Sequence, residues 1–189
     1  MKENFFTNSM NLAKKICIGK LNEGSIAVDA TMGNGNDTVF LANLVGESGK
    51  VYAFDIQEKA LLNTSEKLKE NGVENVELIK DGHENIDKYV KEKVDVIMFN
   101  LGYLPKLSHN ITTKAETTLQ AVKKSLNLLK EDSVIILVIY HGHENGKEEK
   151  LALENLLSSI NQKEYNVIKL EFINQINNPP ALICVEKRG

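Results

Sequence analysis

VDATMGNGNDT, residues 28–38, runs an apolar strand into a glycine turn and the start of a helix, and YAFDIQ at 52–57 puts Asp55 at the next strand tip. A strand, a glycine turn, a helix and an acid on the following strand form the layout of a nucleoside-cofactor site in an α/β sheet. The turn therefore sets the fold class and the chemistry to look for.

Working outward, residues 9–21 place Leu12, Ala13, Ile16, Cys17 and Leu21 on one helical face ahead of a first strand at 25–30. A helix from about Asp37, a strand at 50–55, a helix at 58–70 and a strand at 75–80 follow, each junction marked by glycine or asparagine. This alternation predicts a parallel sheet. VDVIMFN at 94–100 is the fourth strand, and the helix from about Lys114 carries an apolar stripe at Leu119, Val122, Leu126 and Leu129. SVIILVIY at 133–140, a helix at 147–160, and strands near 165–172 and 181–187 complete the chain. The last two strands are joined by a short connection holding Pro179 and Pro180, too short for a crossover helix, so the final strand is expected antiparallel. The fold class is α/β, a Rossmann-like sheet of seven strands with helices on both faces, in one domain spanning 1–189.

The 189 residues are 42% hydrophobic, with 23 Lys and Arg against 26 Asp and Glu. A net charge of -3 leaves no broad basic face, so any nucleic acid is expected to be held locally. Cys17 and Cys184 lie far apart in apolar surroundings, which favours reduced, buried thiols and a cytoplasmic setting. The start of the chain has no apolar signal core, and the run from Val134 to Tyr140 is too short to cross a bilayer, so no membrane partner is expected.

A dinucleotide site wants backbone N–H groups facing a pyrophosphate, whereas here Asp29 sits at the strand tip and Thr38 takes the place of a third glycine. A carboxylate there suits S-adenosylmethionine, which carries an ammonium and a sulfonium. On this reading Gly33 and Gly35 let the backbone approach the cofactor, while Asn34, Asn36, Asp37 and Thr38 surround its carboxylate. Asp55 accepts the ribose hydroxyls with Gln57 beside it, and Gly82 and His83 flank the adenine next to Asp81. The competing reading of the glycine pair alone is a tight turn with an N-cap, and for Gln57 and His83 it is a surface or capping role.

FNLGYLP at 99–105 brings Asn100 to the carboxyl edge of the sheet, where its amide oxygen and the Leu101 carbonyl can hold the N–H groups of an amine. Tyr103 can stack on a base or close the pocket. YHGHENGKEE delivers Tyr140, His141 and His143 to the same edge; a histidine there can take the proton lost by an ammonium, or simply order its loop. No cysteine or third ligand stands at metal-binding spacing, so no metal is expected. Asn174, Gln175 and Asn178 fall in the loop after the sixth strand, as turn formers or substrate contacts.

Taken together, DATMGNGNDT, FDIQ, FNLGYLP, YHGHENGKEE and NQINNPPALICVEK resemble, over nearly the whole chain, a bacterial family of class I S-adenosylmethionine-dependent methyltransferases. That family was long labelled as rRNA methylases and is associated with tRNA 5-aminomethyl-2-thiouridine methyltransferases. The resemblance implies Asn34, Asn36, Asp55, Gln57 and His83 as cofactor contacts and Asn100, Tyr103 and His141 near the substrate amine. It implies methylation of the wobble uridine in the tRNA anticodon loop, with rRNA or a small amine as the alternative acceptor, and a homodimer as the family expectation. Lys106 and Lys114 are candidate tRNA contacts on a local basic rim.

Overall fold

The computed structural model describes residues 5–102 and 113–189. Its strands are β1 (Ile26–Asp29), β2 (Lys50–Phe54), β3 (Val76–Ile79), β4 (Val94–Leu101), β5 (Leu129–Ile139), β6 (Tyr165–Leu170) and β7 (Ala181–Lys187). They form one sheet in the order β3-β2-β1-β4-β5-β7-β6. β7 runs antiparallel to both β5 and β6, which leaves β6 parallel to the rest. The expected reversal of the final strand is thus present, and its cause is the short proline-bearing connection.

The helices are α1 (Ser9–Lys20), α2 (Asn36–Val45), α3 (Glu58–Glu70), α4 (Ile86–Tyr89), α5 (Ala115–Leu128) and α6 (Glu144–Ser158). Strand alternation divides their packing between two cores. Ile97, Phe99, Ile135 and Leu137 face α5 and α6, while Val96, Met98, Val134 and Ile136 face α1 and α2. Phe54, Phe99, Ile97 and Leu137 are fully buried, each contributing about 1.5–3 kcal/mol of hydrophobic stabilisation.

Four differences from the sequence reading have local causes. α6 begins three residues earlier than expected, at Glu144, because the His143 ring accepts from the Gly146 amide at 3.0 Å and caps the helix. β5 begins at Leu129 rather than 133, with a register break opposite Val94 and Val96 and Asp132 at φ 59°. A 3₁₀ turn, His83–Asn85, and the short α4 occupy the connection after β3, where no helix was expected. The most deeply buried line of α5 is Thr118, Ala121, Val122 and Ser125; of the anticipated stripe Val122 lies on this line, Leu119 and Leu126 flank it, and the fully buried Leu129 is the first residue of β5.

Candidate active site

Strand order makes β1 and β4 the switch point of the sheet: β1 continues to β2 on one side, β4 to β5 on the other. The chain leaves these two carboxyl ends in opposite directions and opens a crevice between them. There the Asn100 amide donates to the Thr31 hydroxyl at 2.7 Å, joining the two diverging ends. A cleft of about 520 Å³ occupies this edge, large enough for a nucleoside-sized ligand.

The glycine turn forms one wall. Gly33 and Gly35 have φ of 53° and 74°, a left-handed region that favours glycine. A Cβ on Gly35 would also meet Thr64 at 2.8 Å, so the turn presses closely on α3. The turn hangs from Asp55: Gly33 donates its amide to Oδ2 at 3.1 Å, and Gln57 donates to Oδ1 at 2.9 Å. Each carboxylate oxygen keeps a lone pair for a ligand hydroxyl. Burial pushes the Asp55 carboxyl above its ordinary range, while the Gln57 and Gly33 amides pull it back down. Asn34 accepts from Asn63 at 3.0 Å and Asn36 from Lys67, so both side-chain oxygens turn toward α3 while the two residues still line the cleft.

Asp29, Gly35 and Thr38 lie behind this wall rather than on it. Asp29 is 1% exposed, its two oxygens accepting from the Thr38 hydroxyl at 2.7 Å and the Thr31 amide at 3.1 Å. Burial, followed by the charge of Asp37, pushes its carboxyl up to about 7. The expectation that Asp29 faces the ligand is therefore corrected: the Thr38 hydroxyl, in the first turn of α2, reaches back and holds it inside. Among the described residues, the negative charge of the cleft comes instead from Asp37, Asp55, Asp81 and Glu84, against one lining cation, Lys114.

At the far end, Gly82 and His83 line the cleft. Asp81 is occupied by the Gly82 amide at 2.7 Å, Asn85 at 2.9 Å and the Tyr89 hydroxyl at 2.9 Å, which fixes the loop after β3. His83 is buried beside Phe99 in an edge-on contact, its Nδ1 facing the Ala30 carbonyl at 3.2 Å. Ile56, a lining residue absent from the sequence reading, is 60% exposed and forms an apolar lip between Asp55 and Gln57. Its signal was an isoleucine just past an acid at a strand tip, where a solvated turn would carry a polar residue.

At the other end, Asn100 lines the cleft and its Nδ2 donates to Asp37 Oδ2 at 3.4 Å. Because a carboxylate only accepts, this contact assigns the amide and leaves Oδ1 as an acceptor with no partner among the described residues. Asp37 is itself paired with Lys14 on α1 at 3.1 Å. The Leu101 carbonyl does not face the cleft: Leu101 is fully buried and its oxygen accepts from the Tyr140 amide at 3.0 Å. Tyr103 lies outside the described residues, as do Pro105 and Lys106. Tyr140 lines the cleft and His141 does not, since alternation at the end of β5 turns successive side chains to opposite sides. His143 caps α6, and among the described residues no group of three or more potential metal ligands is close enough to hold an ion. Asn174, Gln175 and Asn178 are exposed beyond β6.

The arrangement fits S-adenosylmethionine better than a dinucleotide. An acid with free lone pairs would suit a ribose diol, an apolar lip and a histidine would suit a base, and the negative wall would suit a sulfonium but oppose a diphosphate.

Residues 51–186 match the protein family described as "Putative rRNA methylase". A chloroplastic tRNA (mnm(5)s(2)U34)-methyltransferase of Arabidopsis thaliana is 35% identical over 89% of this chain, which spans 65% of the plant enzyme's length. Among solved structures, an rRNA-methylase so described from Clostridium thermocellum superposes with a TM-score of 0.95 at 48% identity, covering 96% of this chain and 98% of that one. A Streptococcus mutans methyltransferase, solved in complex with SAH, superposes at 0.89 with 43% identity, covering 96% and 99% of the two chains. Sequence and fold agree, and the chain belongs to this rRNA-methylase family of class I S-adenosylmethionine-dependent methyltransferases.

Proposed function

We propose that this chain transfers the methyl group of S-adenosylmethionine to the primary amine of 5-aminomethyl-2-thiouridine at the tRNA wobble position, giving 5-methylaminomethyl-2-thiouridine. The observation that carries the reading is the pair of acceptors at the tip of β4. Asn100 is oriented by Asp37 so that Oδ1 has no partner among the described residues, and the Asp37 carboxylate stands beside it. Two acceptors suit a group with several N–H bonds, and a carboxylate favours the cationic form in which an aliphatic amine arrives. The amine must lose a proton before its lone pair can attack, and Asp37, adjacent to the reacting end, is the acceptor we assign. The nitrogen then displaces the thioether in line, the new N–C bond forming as the S–C bond breaks; S-adenosylhomocysteine leaves neutral and the positive charge passes to the methylated amine.

A wobble base is accessible because an anticodon loop is single-stranded and its bases can be splayed into a pocket. Lys114 on the cleft wall supplies a cation for a neighbouring phosphate without requiring a broad basic surface. Cofactor contacts under this reading are Gly33, Asn34, Asn36, Asp55, Gln57, Gly82 and His83, with Asp29, Gly35 and Thr38 supporting the turn from behind.

The family description favours a second acceptor, ribosomal RNA. One assay separates the two. Purified protein and S-adenosylmethionine with a labelled methyl are incubated in parallel with rRNA and with tRNA bearing 5-aminomethyl-2-thiouridine, and the nucleosides are analysed by mass spectrometry. Label in 5-methylaminomethyl-2-thiouridine supports the proposal; label only in rRNA overturns it.

A further inference from the structure

Behind the cleft runs a buried chain of polar groups that the transfer step does not use. Glu149 of α6 is 1% exposed, and its oxygens meet the hydroxyls of Thr118 at 2.6 Å and Thr113 at 2.7 Å. Thr118 is fully buried on α5 and its hydroxyl also stands 3.4 Å from His83 Nε2. The other ring nitrogen, Nδ1, faces the Ala30 carbonyl at 3.2 Å. Ala30, His83 and Thr113 all line the cleft. One carboxyl group thus connects the adenine end of the cleft with the wall that opens α5.

Counting hydrogens leaves two arrangements in which every one of these contacts is a hydrogen bond. A carbonyl only accepts, so Nδ1 carries a hydrogen. If Glu149 is ionised, it takes the single hydrogen of Thr118, and Nε2 must then carry its own, making His83 an imidazolium. If Glu149 is protonated, it donates to Thr118, Thr118 donates to Nε2, and His83 is neutral. Thr113 donates to the second Glu149 oxygen in both cases. The arrangements differ by one proton moved along the chain.

Burial decides between them, because the first places two charges in the interior and the second places none. It raises the Glu149 carboxyl and lowers His83. Each opposing influence is weaker than burial: the Thr118 and Thr113 hydroxyls, then His143, on Glu149, and the Ala30 carbonyl, then Glu84 and Asp55, on His83.

We propose that Glu149 is a positioning residue that works as a hydrogen-bond donor, fixing His83 through Thr118 as the neutral Nδ1–H tautomer and anchoring Thr113 at the opposite wall. Both nitrogens of His83 are then engaged within the protein, and the ring offers the cleft a flat, uncharged side. This matters for a cofactor that carries a sulfonium, which a buried imidazolium would repel. The functional half of the inference rests on the cleft being the cofactor site; the tautomer does not.

The test is two-bond proton–nitrogen correlation NMR on the full chain with ¹⁵N-labelled histidine at pH 7 without ligand, His83 being assigned by its loss in His83→Gln. Calorimetry with S-adenosylmethionine follows on the same samples. Glu149→Gln reproduces the protonated acid, with its amide donating to Thr118 and its carbonyl accepting from Thr113, so it should keep both the tautomer and the affinity. Glu149→Leu and the nearly isosteric Thr118→Val, which carries the test if the leucine variant fails to fold, should mix the His83 tautomers. They should also weaken cofactor binding by roughly tenfold, the loss of about one hydrogen bond. A wild-type His83 that is an imidazolium or the Nε2–H tautomer overturns the proposal, as does a glutamine variant that behaves like the leucine one. A wild-type protein with the expected tautomer that binds no cofactor upholds the hydrogen-bond assignment and refutes the cofactor reading.

Discussion

Asp29→Asn should stabilise this protein at alkaline pH and leave it unchanged in acid. Asp29 is buried with its carboxyl pushed up to about 7, from 3.8 in the unfolded chain. Below 3.8 both states are protonated and burial costs nothing; above that the unfolded chain ionises freely while the folded one resists. The contribution is therefore fully present in acid and is lost as pH rises through 7. About three pH units at ~1.36 kcal/mol each make a loss of about 4 kcal/mol, of which about 3 falls between pH 5 and 8. Asparagine is isosteric with the neutral acid: Oδ1 still accepts from the Thr31 amide, and Nδ2 donates to the Thr38 hydroxyl. Urea unfolding of both proteins at pH 5, 6, 7 and 8 reads the effect, and Asp55, Glu149 and His83, which also titrate with folding, cancel in the difference. The variant should already be the more stable by about 1.5 kcal/mol at pH 5, and the gap should widen to about 4 kcal/mol at pH 8. Parallel loss of stability across that range, or a variant weaker at pH 8, would refute the claim that Asp29 is held as a buried acid.

Asn100→Ala removes the oriented acceptor and should reduce turnover by about 100-fold while cofactor affinity from calorimetry stays within about threefold; equal loss of both would assign Asn100 to cofactor binding. Asp55→Ala removes a charged acceptor and should weaken S-adenosylmethionine binding by about 10- to 100-fold, an effect absent if the ribose lies elsewhere. Gly35→Ala forces a Cβ to within 2.8 Å of Thr64 at a φ of 74° and should cost about 1–3 kcal/mol of stability by urea unfolding; a neutral result would mean the turn and α3 separate easily.

What the sequence made legible was whatever depends on local periodicity. The βα alternation, the glycine turn with Asp55 after it, and the reversal of β7 at Pro179 and Pro180 all follow from strand and turn chemistry that neighbours cannot override. What it hid depends on which way a side chain turns at the end of an element. Asp29 and Tyr140 lie at strand ends, where one position changes the face, and the Thr38 hydroxyl with the Thr31 amide holds Asp29 inward. Glu149 sits in a run of charges that reads as solvated helix, yet the buried stripe of α6 passes through Gly146, Glu149, Leu153 and Leu157. Its partner Thr118 lies four residues before Val122 on the inner line of α5, one position from the leucine that the apolar pattern selects. Neither residue is informative alone, because the signal is a contact between two helices.

The central claim is the methyl acceptor, and the most direct measurement is the nucleoside content of tRNA and rRNA from cells lacking this gene, with and without its return on a plasmid. The account predicts that 5-aminomethyl-2-thiouridine accumulates in tRNA, that 5-methylaminomethyl-2-thiouridine disappears and returns with the gene, and that rRNA is unaltered. Unchanged tRNA together with a missing methyl group in rRNA would contradict it.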